Sequence, residues 1–314
     1  MKKRPIIMDC DPGQDDAVAI LFALASPDEL DVLGVTTVAG NVPLDKCQRN
    51  ARLMCELAGL PDIPVFAGCA APMVRTLVTA EHVHGHEGID GAEIYLPRTP
   101  LQECHAVDFL VETLMASPEE SVTLVPTGPL TNIATALARE PRIASRIAQI
   151  VLMGGAMREG GNTTPTAEFN IYVDPHAAKV VMACGRPLVV AGLDVTHQVL
   201  ATPRHVQAIG NIGNKAGRTV QSMLQYFNRH DTEKYGSEGA PLHDPCTIAY
   251  LLRPELFRAK RVNIDVETAS ELTMGETVVD FWGVTDRRPN ADWLYKANAE
   301  AFFDLLIDRL SRLP

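Results

Sequence analysis

Four aspartates stand within eight residues near the start of the chain, in Asp9-Cys10-Asp11-Pro12-Gly13-Gln14-Asp15-Asp16. Carboxylates this close raise one another's proton affinity unless a cation joins them, and hard divalent ions such as calcium or magnesium take oxygen ligands of this kind. The other reading is that Asp15 and Asp16 favour the positive end of a helix dipole, which explains two acids more readily than four. The spacing does not name the metal.

Further residues able to do chemistry lie far along the chain. His243-Asp244-Pro245 follows a Gly-containing loop, and His82-Val83-His84-Gly85-His86 sits in another. A lone histidine is more often structural than catalytic, and histidines at i, i+2 in a loop specify no metal geometry, so a substrate contact is an equal reading. In Pro126-Thr127-Gly128-Pro129-Leu130-Thr131-Asn132 a strand end meets a helix start. The Thr127 carbonyl could be one more oxygen ligand there, although a plain turn with an N-cap has the same composition. Asn162, Thr163, Glu168 and Asn170 carry the carboxamides and carboxylate that sugar hydroxyls require, or else form a polar surface loop.

Elements must hold these residues in place, and the hydrophobic pattern supplies them. Short Val- and Ile-rich runs predict strands over Pro5–Asp9, Val32–Ala39, Ile63–Phe66, Val122–Pro126, Ile150–Met153 and Leu188–Leu193. Helical spacing predicts Asp15–Ala25, Leu44–Ala58, His105–Met115, Asn132–Ala138 and Pro175–Cys184 between them. This alternation predicts an α/β fold with a mainly parallel central sheet flanked by helices, a Rossmann-like core. The pattern turns mostly helical from Pro203 to Leu252, with the polar segment Arg229–Pro241 as an expected lid. Strand-like stretches Arg261–Val266 and Glu276–Phe281 and a last helix Asn298–Leu310 close the chain. Without a linker or internal repeat, residues 1–314 read as a single domain.

The acidic block follows the first strand directly. Ligands of open α/β sheets collect at the carboxyl ends of strands, so the turn is placed where a site belongs. With period-two alternation Asp9 and Asp11 would point to one side, and Gly13 would permit a reversal that returns Asp15 and Asp16.

Charge and composition narrow the partners. With 28 basic and 39 acidic residues the formal charge is -11, and the lack of a dense Lys/Arg block makes nucleic acid a poor partner. The basic start is too short of apolar residues for a signal segment, and no run reaches membrane-spanning length, so a cytoplasmic protein is expected. Seven cysteines without a C-x-x-C pair indicate neither a disulfide framework nor a zinc site.

Taken together, the motifs resemble those of the inosine-uridine preferring nucleoside hydrolase family over nearly the whole chain. The carrying residues are the Asp9–Asp16 block, Val38-Ala39-Gly40-Asn41, Val125–Asn132, Val151-Leu152-Met153-Gly154-Gly155, Ala167-Glu168-Phe169-Asn170 and His243-Asp244-Pro245. The resemblance implies hydrolysis of the N-glycosidic bond of ribonucleosides, a place in nucleoside salvage, and a homodimer or homotetramer. It also implies one calcium ion held by Asp11, Asp16, the Thr127 carbonyl and Asp244, with Asp11 as general base. Asp15, Asn41, Asn162, Glu168 and Asn170 would hold the ribose, Met153 would line its pocket, and Asp9 would give support. His243 would be the acid for the leaving base, and His84 would line the base pocket. Tyr235, before Gly236, resembles the aromatic of members that favour pyrimidine nucleosides, so substrates lean to uridine or to an inosine-uridine range; a tyrosine packed on its own helix is the other reading.

Two rivals share part of the pattern. A magnesium-dependent phosphoryl-transfer enzyme also has a strand-terminal Asp-x-Asp, but such enzymes follow it with Gly-Thr or a similar pair, where Pro12-Gly13 stand here. A non-catalytic nucleoside or sugar sensor could keep the same fold. Against it, every position needed for metal, water activation and ribose carries a competent side chain.

Overall fold

The first strand, β1 (Arg4–Cys10), shows how the sequence builds the sheet. Ile6, Met8 and Cys10 pack into the core on one side of it, and Ile7 packs into the core on the other. A strand buried on both faces needs such continuous apolar character. The computed structural model describes residues 3–314, apart from the side chains of Asp231 and Tyr235.

Among the described residues eleven further strands follow: β2 (Leu30–Thr37), β3 (Val65–Ala67), β4 (Leu101–Gln102), β5 (Val122–Pro126), β6 (Ile147–Met153), β7 (Leu188–Ala191), β8 (Leu200–Ala201), β9 (Ala240–Pro241), β10 (Phe257–Val266), β11 (Thr277–Asp280) and β12 (Ala291–Ala297). Ten of the strands form one sheet in the order β11-β10-β12-β7-β6-β5-β1-β2-β3-β4, and β8 pairs with β9 apart from it. From β12 across to β4 every pairing is parallel, while β10 runs antiparallel to both β11 and β12. The expected mainly parallel α/β sheet is therefore present, with an antiparallel edge.

The chain leaves β1 toward β2, β3 and β4, then returns to β5 on the other side of β1. The crevice beyond the ends of β1 and β5 is thus a topological switch point, where open α/β sheets bind ligands. Asp9 pairs with Thr36 of β2 and with Pro126 of β5, so the acidic turn and Thr127 leave the sheet side by side.

Helix Gln14–Leu24 starts in this crevice and has all eleven residues buried. It contacts Leu44–Leu57, Lys215–Tyr235, Pro245–Leu252 and Ala299–Leu310 on one side of the sheet. A helix surrounded in this way is apolar all round, as Ala17 to Leu24 are. Phe22 meets Phe302 edge to face at 6.4 Å, and burying each ring contributes about 1.5–3 kcal/mol. Helices Ala106–Ala116, Thr131–Arg139 and Pro175–Met182 cover the opposite face.

The structure departs from the sequence reading in four places, the first being that His82, Val83 and His84, expected in a loop, belong to the short helix Glu81–His84 that Gly85 ends. The segment Arg229–Pro241 is not a loop throughout: residues 229–235 are the last turns of helix Lys215–Tyr235. Gly236, at φ 65°, ends that helix in the left-handed conformation that glycine adopts without strain. Strand β7 stops at Ala191, and Leu193–Thr196 is a short helix. Strand β12 was not expected at all; it inserts between β7 and β10. Among the described residues, the seven cysteines are free, and no helix is long and apolar enough to cross a membrane.

Candidate active site

Asp9 ends up apart from the other acids. It is buried with Thr36 Oγ1 donating to its Oδ1 at 2.6 Å and Asn132 Nδ2 donating to the same atom at 2.7 Å. Burial raises its pKa to about 7, against the lowering effect of those two donors. Strand alternation ends at Cys10, so Asp11 is free to leave the side on which Asp9 points. The expectation that all four carboxylates converge is corrected: three do, and Asp9 braces the strand beneath them.

Asp11 Oδ2 accepts from the backbone N–H of Asn41 at 2.6 Å, and Asn41 Nδ2 reaches both the Asp11 carbonyl at 3.1 Å and Asp16 Oδ2 at 3.2 Å. Asp16 also caps its own helix from within, accepting from Gly13 N at 3.0 Å, and it accepts from Thr127 Oγ1 at 2.7 Å. A Cβ at Gly40 or Gly128 would collide with the Asp11 carboxylate, so both glycines are required by close approach. Asp244, at the start of helix Pro245–Leu252, brings a fifth acid across the crevice.

Carboxylate oxygens of Asp15, Asp16 and Asp244 lie within 4.8 Å of one another, and all three residues are buried. Carboxylates this close repel one another unless a proton or a cation comes between them. Burial is the first cause of raised pKa at Asp11, Asp15, Asp16 and Asp244; the charge of Asp16 comes next at Asp11 and Asp15, and the charge of Asp15 next at Asp244. Oδ1 of Asp11 and Oδ1 of Asp15 are buried with no hydrogen-bond partner. Among the described residues, no lysine or arginine forms an ion pair with any of these aspartates. Clustered acids with orphaned oxygens and no basic partner fit a hard divalent cation.

Above the acids opens a cavity of about 610 Å³. Asp15, Asn41, Thr127, Asp244, Met153, Asn162, Glu168, Asn170, His84 and His243 all line it, whereas Asp11 and Asp16 lie behind the wall. Of the expected site residues, only Tyr235 lies outside this description, since its side chain is not among the described residues.

Several of these residues are engaged by the protein itself. Glu168 caps helix Phe169–Val173, with Oε1 accepting from Asn170 N and Oε2 from Gly155 N and Ile171 N. Burial raises its pKa, and those three N–H groups oppose the rise. Asn170 Nδ2 donates to the Thr127 carbonyl at 2.7 Å and to the Met153 carbonyl at 3.3 Å. A carbonyl oxygen has two lone pairs, so Thr127 keeps one for another partner. Asn162 Oδ1 accepts from Phe169 N at 3.0 Å.

Part of the wall is aromatic. His84 stacks on Phe227 with ring centroids 5.3 Å apart, and His82 lies edge-on to His230 at 5.9 Å. Burial, helped by His82 and His230, lowers the His84 pKa to about 3. His243 Nδ1 lies 2.8 Å from Thr196 Oγ1, and its pKa falls well below the usual value through burial, then His197 and His84. In both rings burial favours the neutral imidazole.

Thr36, Thr196, His197 and Phe227 take part without having been singled out from the sequence. Two of them had a usable signal: Thr196 and His197 follow closely on the carboxyl end of β7, where the rule that placed the acidic turn would also have placed them. Phe227 had none, since one more apolar position on an amphipathic helix looks like any other.

Comparison with known proteins agrees with this geometry. The family model described as inosine-uridine preferring nucleoside hydrolase matches residues 6–304. The pyrimidine-specific ribonucleoside hydrolase RihA of Klebsiella pneumoniae is 48% identical over 308 residues, covering 98% of each chain. Among solved structures, the plant nucleoside hydrolase PpNRh1 superposes with TM-score 0.91 at 32% identity, covering 99% of each chain. The purine-preferring ribonucleoside hydrolase of Gardnerella vaginalis does so with TM-score 0.91 at 31% identity over 98% of each chain. With the acidic crevice, the polar cavity and a match along almost its full length, the chain belongs to the inosine-uridine preferring nucleoside hydrolase family.

Proposed function

We propose that this protein hydrolyses ribonucleosides with the aid of a calcium ion held by Asp11, Asp16, the Thr127 carbonyl and Asp244, and that it favours uridine and related pyrimidine nucleosides. The observation that carries the reading is the set of buried carboxylates, with two orphaned oxygens and, among the described residues, no Lys or Arg ion-pair partner, behind a cavity lined by amides and aromatic rings. Calcium suits an all-oxygen donor set of carboxylates and a carbonyl. When bound, it supplies Lewis acidity that makes a water easier to deprotonate.

This chain's residues do the rest. Asp11 Oδ2 is engaged by Asn41, so Oδ1 is the oxygen left to take a proton from the attacking water. Asp15, Asn41, Asn162, Glu168 and Asn170 face the cavity where ribose hydroxyls need donors and acceptors, and Met153 packs beside them. Cleavage develops positive charge on the ribose, and acidic and amide oxygens fixed beforehand stabilise that charge where it forms.

The departing base carries negative charge away. His243, neutral and buried in the wall, donates an N–H to it, with Thr196 holding the other ring nitrogen. The 48% identity to a pyrimidine-specific relative supports the pyrimidine preference, and an aromatic wall of His82, His84, Phe227 and His230 suits a flat base. The charge balance, free cysteines and absence of a spanning helix among the described residues suit a cytoplasmic place, and we extend to this chain a homodimer or homotetramer.

A reducing-sugar assay with uridine, cytidine, inosine and adenosine, run with calcium and again after chelation, tests the whole reading. Release of ribose that calcium restores and that is fastest with uridine is the expected result. Undiminished rates after thorough chelation would remove the cation, and faster turnover of inosine or adenosine would remove the pyrimidine preference.

A further inference from the structure

Gln14 sits in the middle of the acidic turn and is fully buried, yet its side-chain hydrogen bonds go to His84 and to the Asp90 carbonyl, and not to the neighbouring carboxylates. Its Nε2 donates to the carbonyl of His84 at 2.8 Å and to that of Asp90 at 3.2 Å. Carbonyl oxygens only accept, so the nitrogen end of the amide must face them. Oε1 is thereby turned to His84 Nδ1, 2.7 Å away. An amide oxygen also only accepts. The hydrogen in that contact therefore belongs to Nδ1, and a neutral imidazole has just one N–H, which leaves Nε2 bare.

The ring is confined as well as polarised. A Cβ at Gly13 would come within 2.5 Å of Nδ1, so the backbone of the acidic turn lies against the imidazole. Phe227 stacks on it at an interplanar angle of 19°. Gly85, at φ 83°, is followed by a turn that returns Asp90 to the same amide. Thr196 Oγ1, which can donate or accept, imposes no such choice on His243.

We propose that Gln14 is a positioning residue that holds His84 in the Nδ1–H tautomer, so that Nε2 meets the substrate as a hydrogen-bond acceptor for an N–H of the nucleobase. The base half of this statement rests on the nucleoside reading above. The stacking of His84 on Phe227, with His82 and His230 beside it in the cavity wall, makes a flat base its partner. His84 then recognises the base and does not protonate it, which leaves His243 as the donor to the leaving group.

The tautomer is read directly from ring 15N shifts of the calcium-loaded wild-type protein labelled at histidine, with His84 assigned by its loss in His84→Asn. A protonated Nδ1 and a bare Nε2 at neutral pH are expected; the reverse overturns the assignment, and this measurement needs no Gln14 variant to fold. In Gln14→Met the acceptor is gone, and the Nδ1–H preference should disappear. A neutral hydrogen bond is worth about fivefold, so kcat/KM for uridine should fall by roughly that factor. Nitrophenyl riboside, whose leaving group has no N–H, should lose clearly less. An unchanged tautomer in Gln14→Met overturns the positioning role, and equal losses on both substrates overturn the base contact. If no nucleoside is turned over by the wild type, the functional reading fails, while the ring shifts still decide whether Gln14 sets the tautomer.

Discussion

Calcium affinity should climb steeply with pH, because the acids that would hold the ion keep protons in its absence. With the proposed ligand Asp16 raised to about 6 and its neighbour Asp15, which faces the ribose, to about 8, the cation-free cluster should retain at least one proton near neutrality. Binding a divalent ion must displace it. Each proton displaced makes affinity rise tenfold per pH unit, so one proton gives about a hundredfold between pH 6 and pH 8. The same shifts act on the fold. A pKa above its unfolded value contributes stability that is fully present below the unfolded pKa and is lost as pH rises through the folded one. The chelated protein should accordingly lose Tm as pH rises from about 5 to about 8, with Asp9, raised to about 7, adding to the loss. Saturating calcium should remove much of that fall, and the gap in Tm should widen with pH. Titration calorimetry in two buffers of different ionisation enthalpy counts the protons released. If none is released and affinity does not change with pH, the carboxylates are already ionised without a cation, and the account of this cluster is wrong.

Three other outcomes can be checked separately. Asp11→Ala should lower kcat on uridine by about a thousandfold or more while leaving the fold intact, since it removes the proposed base and one cation ligand; steady-state kinetics beside circular dichroism would show it, and an unchanged rate would remove Asp11 from the mechanism. His243→Ala should cost about a hundredfold or more on uridine but little on nitrophenyl riboside, whose leaving group needs no such hydrogen bond, and equal losses would mean that His243 is not the donor. Asn132→Ala should destabilise the protein by about 2–4 kcal/mol in urea melts, because Asp9 Oδ1 and Cys69 N each lose a buried partner; a change below about 0.5 kcal/mol would show that Asp9 is satisfied in another way.

Much of the framework was legible because it is local. Strands such as β1 and β5 and helices such as Gln14–Leu24 and Leu44–Leu57 carry their periodicity in a few consecutive residues, and their observed limits differ from expectation by a residue or two at most. Strand β12 was not legible, because its place depends on pairing with β7, a hundred residues earlier in the chain. The polar run from Arg229 looked like a loop because the exposed end of an amphipathic helix has the composition of one; the glycine that stops it stands at 236. Glu168 was expected at the ribose, and it does line the cavity. That its two oxygens also hold three backbone N–H groups could not be read from Glu168-Phe169-Asn170 without the turn that they form.

By itself the sequence determined the chemical inventory: closely spaced carboxylates at a strand end, a distant His-Asp pair, amides fit for hydroxyls, and a patterning that admits a parallel sheet. Tertiary structure decided which of these groups meet. Asp16 reaches Asp244, Asp9 is drawn aside by Asn132, and Gln14 leaves its acidic neighbours to hold His84. The physical reason is that side chains tens to hundreds of residues apart come together only through packing of the elements that carry them. Burial then sets their charge, and local spacing contains neither.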